Sequence, residues 1–272
     1  TFKVIESDPN GVPDEQTPLA VVGLTGGGFA VAWNDNNDSP SLPVAEQNTD
    51  DLFLRVYNAS GAPQAASVRM GGAGQNTFLK DFGTLVALAN GSVAVSWRTR
   101  DSIGDGTGTS LDGGAYAGFF QIFNSSGVAV NSATAPYLDI NPDGSGSQHQ
   151  ALLAVLTGGN LAVLWNSANN SNDGANSDVG AGSNSTNGGD TYTRVYQPNG
   201  TPVSGSVRVN DVRTDDVERP EAIVARSDGG YAIVWIEDDR NTAGALNNTD
   251  DFYARSFSAA GAAAPATATR WL

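Results

Sequence analysis

One short strand motif occurs four times, and it dictates what this chain can fold into. Gly27-Gly28-Phe29-Ala30-Val31-Ala32-Trp33 returns as Asn90-Gly91-Ser92-Val93-Ala94-Val95-Ser96-Trp97. It returns again as Gly158-Gly159-Asn160-Leu161-Ala162-Val163-Leu164-Trp165 and as Asp228-Gly229-Gly230-Tyr231-Ala232-Ile233-Val234-Trp235. Self-similarity at a period of roughly 65–70 residues means that one structural unit is used repeatedly. Within each copy large side chains alternate with small ones, the period of two that defines a strand. Neither face carries a charge. Both must therefore be covered, which suits a sheet packed between two similar sheets.

The pattern around each motif is also shared. A first strand reads Leu19–Leu24, Leu85–Ala89, Ala151–Leu156 and Ala222–Arg226. A tight Gly-Gly or Asn-Gly turn leads to the Trp strand, and two-residue hairpins are expected there. After a long polar loop comes a third strand, with Phe53-Leu54-Arg55-Val56-Tyr57, Phe119–Phe123, Tyr192–Tyr196 and Tyr253–Phe257. A turn at Gly61, Gly127, Gly200 or Gly261 precedes a fourth strand: Ser67–Met70, Pro136–Ile140, Ser206–Asn210 and Thr267–Leu272.

Four strands per unit, up and down, four times, predicts an all-β chain: a four-bladed β-propeller of four-stranded antiparallel blades. The rivals are a β-prism and a β-solenoid, and a solenoid coil is far shorter than this repeat. The whole of 1–272 reads as one domain, with blades at about 17–70, 82–140, 148–210 and 219–272. Residues 1–6 make an extra terminal strand, since Phe2-Lys3-Val4 is similar to the fourth strands. Either terminus can close the ring, and the spare strand offers self-assembly through Thr1–Glu6 by pairing with another molecule's sheet edge.

Charge and composition narrow the function. The net charge is −15, which disfavours nucleic acid and anionic membranes as partners. The chain has no cysteine, so disulfides, thiolate metal sites and Cys nucleophiles are excluded. No apolar run reaches the length of a membrane span. A chain opening on Thr1 reads as a processed product or an excised domain.

The long loops all fall at one end of the expected blades, so a binding face belongs there. They are rich in oxygen ligands of the kind calcium takes. Asp35, Asn37 and Asp38 lie in the first loop; Asp101, Asp105 and Asp112 in the second. Asp173 and Asp178 lie in the third, and Asp238 and Asp239 in the fourth. Calcium at these loops is the expected cofactor, although Asp, Asn and Gly also serve turn chemistry alone. Asp50-Asp51, Asp190 and Asp250-Asp251 recur at third-strand entrances, where a structural role is favoured over a metal. The third-strand aromatics and arginines suggest blade packing rather than sugar stacking, as do the four tryptophans. His149, the only histidine, reads as structural. Glu15, Asp81, Glu218 and Glu221 flank first strands and are the candidates for paired-carboxylate hydrolysis. They do not recur at equivalent positions, which argues against catalysis. Asn58, Asn124 and Asn184 begin glycosylation sequons that an Asn/Ser/Thr-rich chain contains by chance.

The unit Asp228–Trp235, followed by Asp-x-Tyr-x-Arg-x-Phe and a Gly turn, resembles repeats of large secreted bacterial proteins. These are RTX-type adhesins and haemolysin-type calcium-binding surface proteins. The resemblance spans the chain and implies an extracellular or cell-surface location, calcium in the surroundings, and recognition or adhesion. The calcium nonapeptide Gly-Gly-x-Gly-x-Asp is absent; Gly104-Asp105-Gly106-Thr107-Gly108 only approaches it. The expected function is thus a non-catalytic module that binds a glycan or surface protein through its long-loop face. The alternatives are a subunit of an extracellular filament or surface layer, and a polysaccharide-acting enzyme.

Overall fold

Each repeat folds as one four-stranded antiparallel sheet. The computed structural model describes residues 16–35, 51–70, 80–100, 116–130, 138–139, 147–168, 190–210, 217–238 and 250–271. Sheet 1 holds β1 (Gln16–Gly23), β2 (Phe29–Asp35), β3 (Asp51–Tyr57) and β4 (Val68–Arg69). Sheet 2 holds β5 (Lys80–Ala87), β6 (Val93–Arg100), β7 (Tyr116–Phe123) and β8 (Leu138–Asp139). Sheet 3 holds β9 (Ser147–Val155), β10 (Leu161–Ala168), β11 (Asp190–Tyr196) and β12 (Val207–Arg208). Sheet 4 holds β13 (Val217–Ala225), β14 (Tyr231–Asp238), β15 (Asp250–Phe257) and β16 (Ala263–Trp271). Strand order in every sheet follows the chain. No helix is present among the described residues, and so none there is long and apolar enough to cross a membrane. Sheet 4 is completed by the C-terminal strand β16; Thr1–Glu6 lies outside the described residues.

The hairpin turns differ from expectation by one residue. Leu24 N–H donates to Gly28 O at 2.8 Å and Leu24 O accepts from Gly27 N–H at 3.1 Å, which encloses three loop residues rather than two. The same pair of bonds closes the turns at Asn58, Leu88, Asn124, Leu156, Gln197, Arg226 and Ser258. The last loop residue is always a glycine with φ between 76° and 91°, as a three-residue loop with a glycine bulge requires. Asparagine fixes several of these turns. Asn58 Oδ1 accepts from Ser60 N–H (3.0 Å) and Ala62 N–H (2.9 Å), and Asn124 Oδ1 does the same for Ser126 and Val128. Two of the three sequons are therefore built into turns; Asn184 lies outside the described residues.

The sheets stack face to face in chain order, the bulky face of each on the small face of the one before. Ala30, Ala32, Leu54 and Val56 of sheet 1 share a core with Val93, Val95 and Trp97 of sheet 2. Ala94, Phe120 and Ile122 share the next with Leu161, Val163 and Trp165. Ala162, Leu164 and Val195 share the third with Tyr231, Ile233 and Trp235. Alanine on the small face leaves room for tryptophan opposite, so each joint reaches full contact. Within each sheet Trp also meets the third-strand aromatic: Trp33–Phe53, Trp165–Tyr192 and Trp235–Tyr253 stack at 5.6–5.9 Å, and Trp97–Phe119 is tilted at 5.9 Å. Arg55 and Arg194 lie over Tyr57 and Tyr196, with Nε bonded to Ala65 O and Ser204 O. The aromatic–arginine pattern is architecture, as expected. First strands β1, β5, β9 and β13 pack in series. Closure of the four sheets into a ring is not seen among the described residues, where no apolar cluster joins sheet 4 to sheet 1.

One joint makes stability depend on alkaline pH. Tyr231 is buried, with its hydroxyl 3.2 Å from Thr193 Oγ1 across the sheet 3–sheet 4 boundary. Burial pushes its phenol up to about 12, and the Thr193 bond opposes this more weakly. The unfolded chain ionises near 10 and the folded chain near 12, so this contribution is complete below pH 10 and disappears between the two values. Two pKa units correspond to about 2–3 kcal/mol. Urea unfolding at pH 9 and pH 11.5 should show the gap between wild type and Tyr231→Phe narrowing by about that amount.

Candidate functional site

Loops after β2, β6, β10 and β14 leave each sheet at the end opposite its hairpin turns. The sheets share one orientation. Thr157 Oγ1 in a sheet 3 turn donates to Arg226 O in a sheet 4 turn (3.1 Å), and Asn166 at the other end of sheet 3 reaches Glu218 of sheet 4. The loop-bearing ends are thereby gathered on one side, as the repeat predicts.

The second residue past each Trp, with its partner on the first strand, marks the rim. Sheet 1 has Asp35 opposite Gln16, with Gln16 Nε2 donating to Asp35 Oδ2 at 2.9 Å. Sheet 2 has Thr99 opposite Lys80, and sheet 3 has Ser167 opposite Gln148. Sheet 4 has Glu237 opposite Glu218. Between first and second strands two acids face each other in sheet 4 alone; in sheet 1 Asp35 faces Asp51 on its third-strand side. Directly opposed residues of an antiparallel pair have Cβ atoms about 5 Å apart on one face. Both glutamates are nearly fully buried, at 2% and 4% exposure.

A polar network anchors Glu218 to sheet 3. Asn210 Nδ2 donates to Asp190 Oδ1 at 2.7 Å and to Glu218 Oε1 at 2.9 Å. Asn210 Oδ1 accepts from Thr191 N–H at 2.9 Å, which fixes the amide orientation. Asp190 also receives Arg208 Nη1 at 3.3 Å and Tyr192 OH at 3.4 Å. Asn166 Nδ2 donates to Glu218 O at 2.5 Å. A buried carboxylate persists only with such donors, because its desolvation otherwise costs several kcal/mol. The recurring acid at the third-strand entrance also finds its role here. Asp190 pairs with Arg208, and Asp51 pairs with Arg69 in the equivalent positions of sheet 1. Arg270 stands opposite Tyr253 in the register that Arg208 holds opposite Tyr192.

Just beyond the rim every first strand is bulged. The register slips between Pro18 and Ala20, between Phe82 and Leu85, at Gln150 opposite the Trp165–Asn166 step, and between Pro220 and Ala222. Gln150 has φ 51°, the single positive value at a non-glycine among the described residues. Bulges at a rim re-aim side chains and often border functional sites. The sheet 4 bulge leaves Glu221 exposed, three residues from Glu218.

The structure sorts the other candidates. Asp35 closes β2 and is held by Gln16, and Asp238 ends β14 opposite Asp250. Asn37, Asp38, Asp101, Asp105, Asp112, Asp173, Asp178 and Asp239 lie outside the described residues, as does Glu15. Among the described residues no group of three or more acids or histidines gathers to hold a metal. Asp81 sits in β5 opposite Arg98, and His149 in β9 opposite Asn166. Sequence reasoning weighed Asp190 as a structural acid at a strand entrance and Glu237 as the start of an acidic loop, and it missed Asn210. Aligning the four repeats on Trp would have exposed the Glu–Glu position.

No protein-family model matches the chain, and no curated protein matches it. Among solved structures it is similar to a Hadza microbial sialidase, with TM-score 0.50, 10% identity, 94% of this chain and 46% of that chain. It is also similar to an α-L-arabinofuranosidase from Fusarium graminearum solved with an iminosugar inhibitor. There the TM-score is 0.52, at 11% identity over 94% of this chain and 66% of that chain. The chain thus spans 46% and 66% of the length of these two proteins. At such identities the likeness is one of fold alone.

Proposed function

We propose that this chain acts on a polysaccharide at its loop-bearing end, with Glu218 and Glu237 as the carboxylate pair. The observation that carries the reading is the break in the repeat: two buried acids face each other in sheet 4, at a rim position filled by Gln–Asp, Lys–Thr and Gln–Ser elsewhere. Asp35 and Lys80 stand singly at this position, so only sheet 4 sets two acids across it, and a departure of that kind calls for a cause other than architecture. Glycoside hydrolysis needs two carboxyl groups: an acid for the leaving oxygen and a base or nucleophile. Cross-strand register sets the two glutamates side by side on one face of sheet 4. The fold shared with a sialidase and an arabinofuranosidase supports this reading over non-catalytic adhesion.

The test is reducing-sugar release from acidic and arabinose-containing polysaccharides. Turnover should fall by at least about a hundredfold in Glu218→Gln and in Glu237→Gln, the size expected for loss of a general acid or base. Asp35→Asn, at the equivalent rim position of sheet 1, should leave it unchanged. Glycan binding without turnover in the wild type would instead support the recognition reading drawn from the repeat resemblance. Calcium at the acidic loops and secretion belong to that second reading, and a rise in Tm with calcium that chelator reverses is its mark.

A further inference from the structure

The two end faces of the stack are built for each other, and we propose that they join between two copies of this chain. The bulky face of sheets 2, 3 and 4 is covered each time by the small face of the preceding sheet. Sheet 1 carries the same bulky face; its Trp33 and Tyr57 are buried, but among the described residues no sheet covers its middle. Val21, opposite Val31, is 70% exposed, whereas its counterpart Leu153, opposite Val163, is 4% exposed. Sheet 4 shows the reverse. Val224, opposite Ala232, is 59% exposed, against 7% for Ala154, opposite Ala162. Phe252 is 51% exposed, while Leu52 at the same register position of sheet 1 is fully buried.

The occupant follows from the repeat. What fits the bulky face of sheet 1 is a small face of this repeat type, and sheet 4 presents the uncovered one. The contact is heterologous, sheet 4 of one copy on sheet 1 of the other, and such contacts close when the rotation returns to its start. Two copies making it reciprocally form a ring of eight sheets, at the upper end of the usual propeller range. Sheet 4 is more polar at this joint than its siblings. Arg226, paired with Asp228 at 2.6 Å, replaces the Leu24, Leu88 and Leu156 that enter the internal cores. Ala254 and Ser256 take the positions of Leu54 and Val56. A face that meets water before it meets its partner is expected to be of this kind.

Sedimentation velocity of the full chain over a concentration series should show a species of twice the chain mass. Val21→Asp and Val224→Asp should each raise the dissociation midpoint at least about tenfold, since either buries a carboxylate at both joints. Their circular-dichroism spectra should match wild type, because both sites are exposed in the single chain. Mixing the two variants restores one intact joint and should recover a dimer that neither forms alone. A single-chain mass at every concentration, a dimer indifferent to both substitutions, or a failure of the mixture to associate overturns the proposal.

Discussion

Replacing Trp165 with alanine is expected to destabilise the protein by about 3–5 kcal/mol, the range for removing a fully buried large aromatic. Its indole lies in the core between sheets 2 and 3 and stacks on Tyr192 at 5.9 Å. It is fully buried, as are its neighbours Val163 and Leu164. The loss has two parts. Apolar surface no longer leaves water on folding, and a void remains because the sheets on either side are held by their own ladders. Sheet stacking in series means that sheets 1 and 2 then separate from sheets 3 and 4 more readily. Urea unfolding followed by circular dichroism should show the shift, with a first transition appearing before the main one.

Gly83→Ala should cost about 3 kcal/mol or more. Gly83 sits in the bulge of β5, where a Cβ would fall on the Ala151 carbonyl oxygen of sheet 3 and come within 2.6 Å of Ser96 Oγ. That hydroxyl accepts from Thr84 N–H at 3.0 Å and donates to Ala151 O at 2.5 Å. The added methyl must push β5 from β9 and break both bonds. Overpacking of about 1–3 kcal/mol then adds to a comparable penalty for buried polar groups left without partners. Gly158→Ala is the control: nothing lies within 4 Å of its Cβ position, and its stability should stay within about 0.5 kcal/mol of wild type.

Those two positions show what could be read in advance. Trp165 was legible, because alternation and the repeat together fix a strand, its faces and its neighbours. Gly83 was not, since a bulge leaves no periodic trace. The same bulges hid the beginnings of the first strands. Pro18 and Pro220 interrupt the alternation, which runs unbroken only from Leu19 and Ala222, whereas β1 and β13 start at Gln16 and Val217. Turn glycines were expected, but the hydrogen bonds that make each loop three residues long depend on a geometry that dipeptide signals leave open. The acids were the hardest. Glu218 was noted without its partner, because Glu237 looked like the start of an acidic loop. Register makes them a pair, and a one-residue bulge between Pro220 and Ala222 sets that register.

The account rests on sheets stacked face to face in chain order, and a cysteine cross-link tests this most directly. The chain has no native cysteine to interfere. A Cβ at Gly261 of sheet 4 would stand 3.4 Å from Ser204 Cβ of sheet 3, near the separation a disulfide bridges; at its φ of 85° a cysteine costs about 1–2 kcal/mol of turn strain, which lowers stability without moving the two sheets apart. The double variant Ser204→Cys/Gly261→Cys should oxidise within one chain, losing two mass units and both free thiols while keeping its β-sheet spectrum. Thiols that stay reduced in the folded protein, or that link only between chains, would contradict the stacking on which the site and the joint between copies both depend.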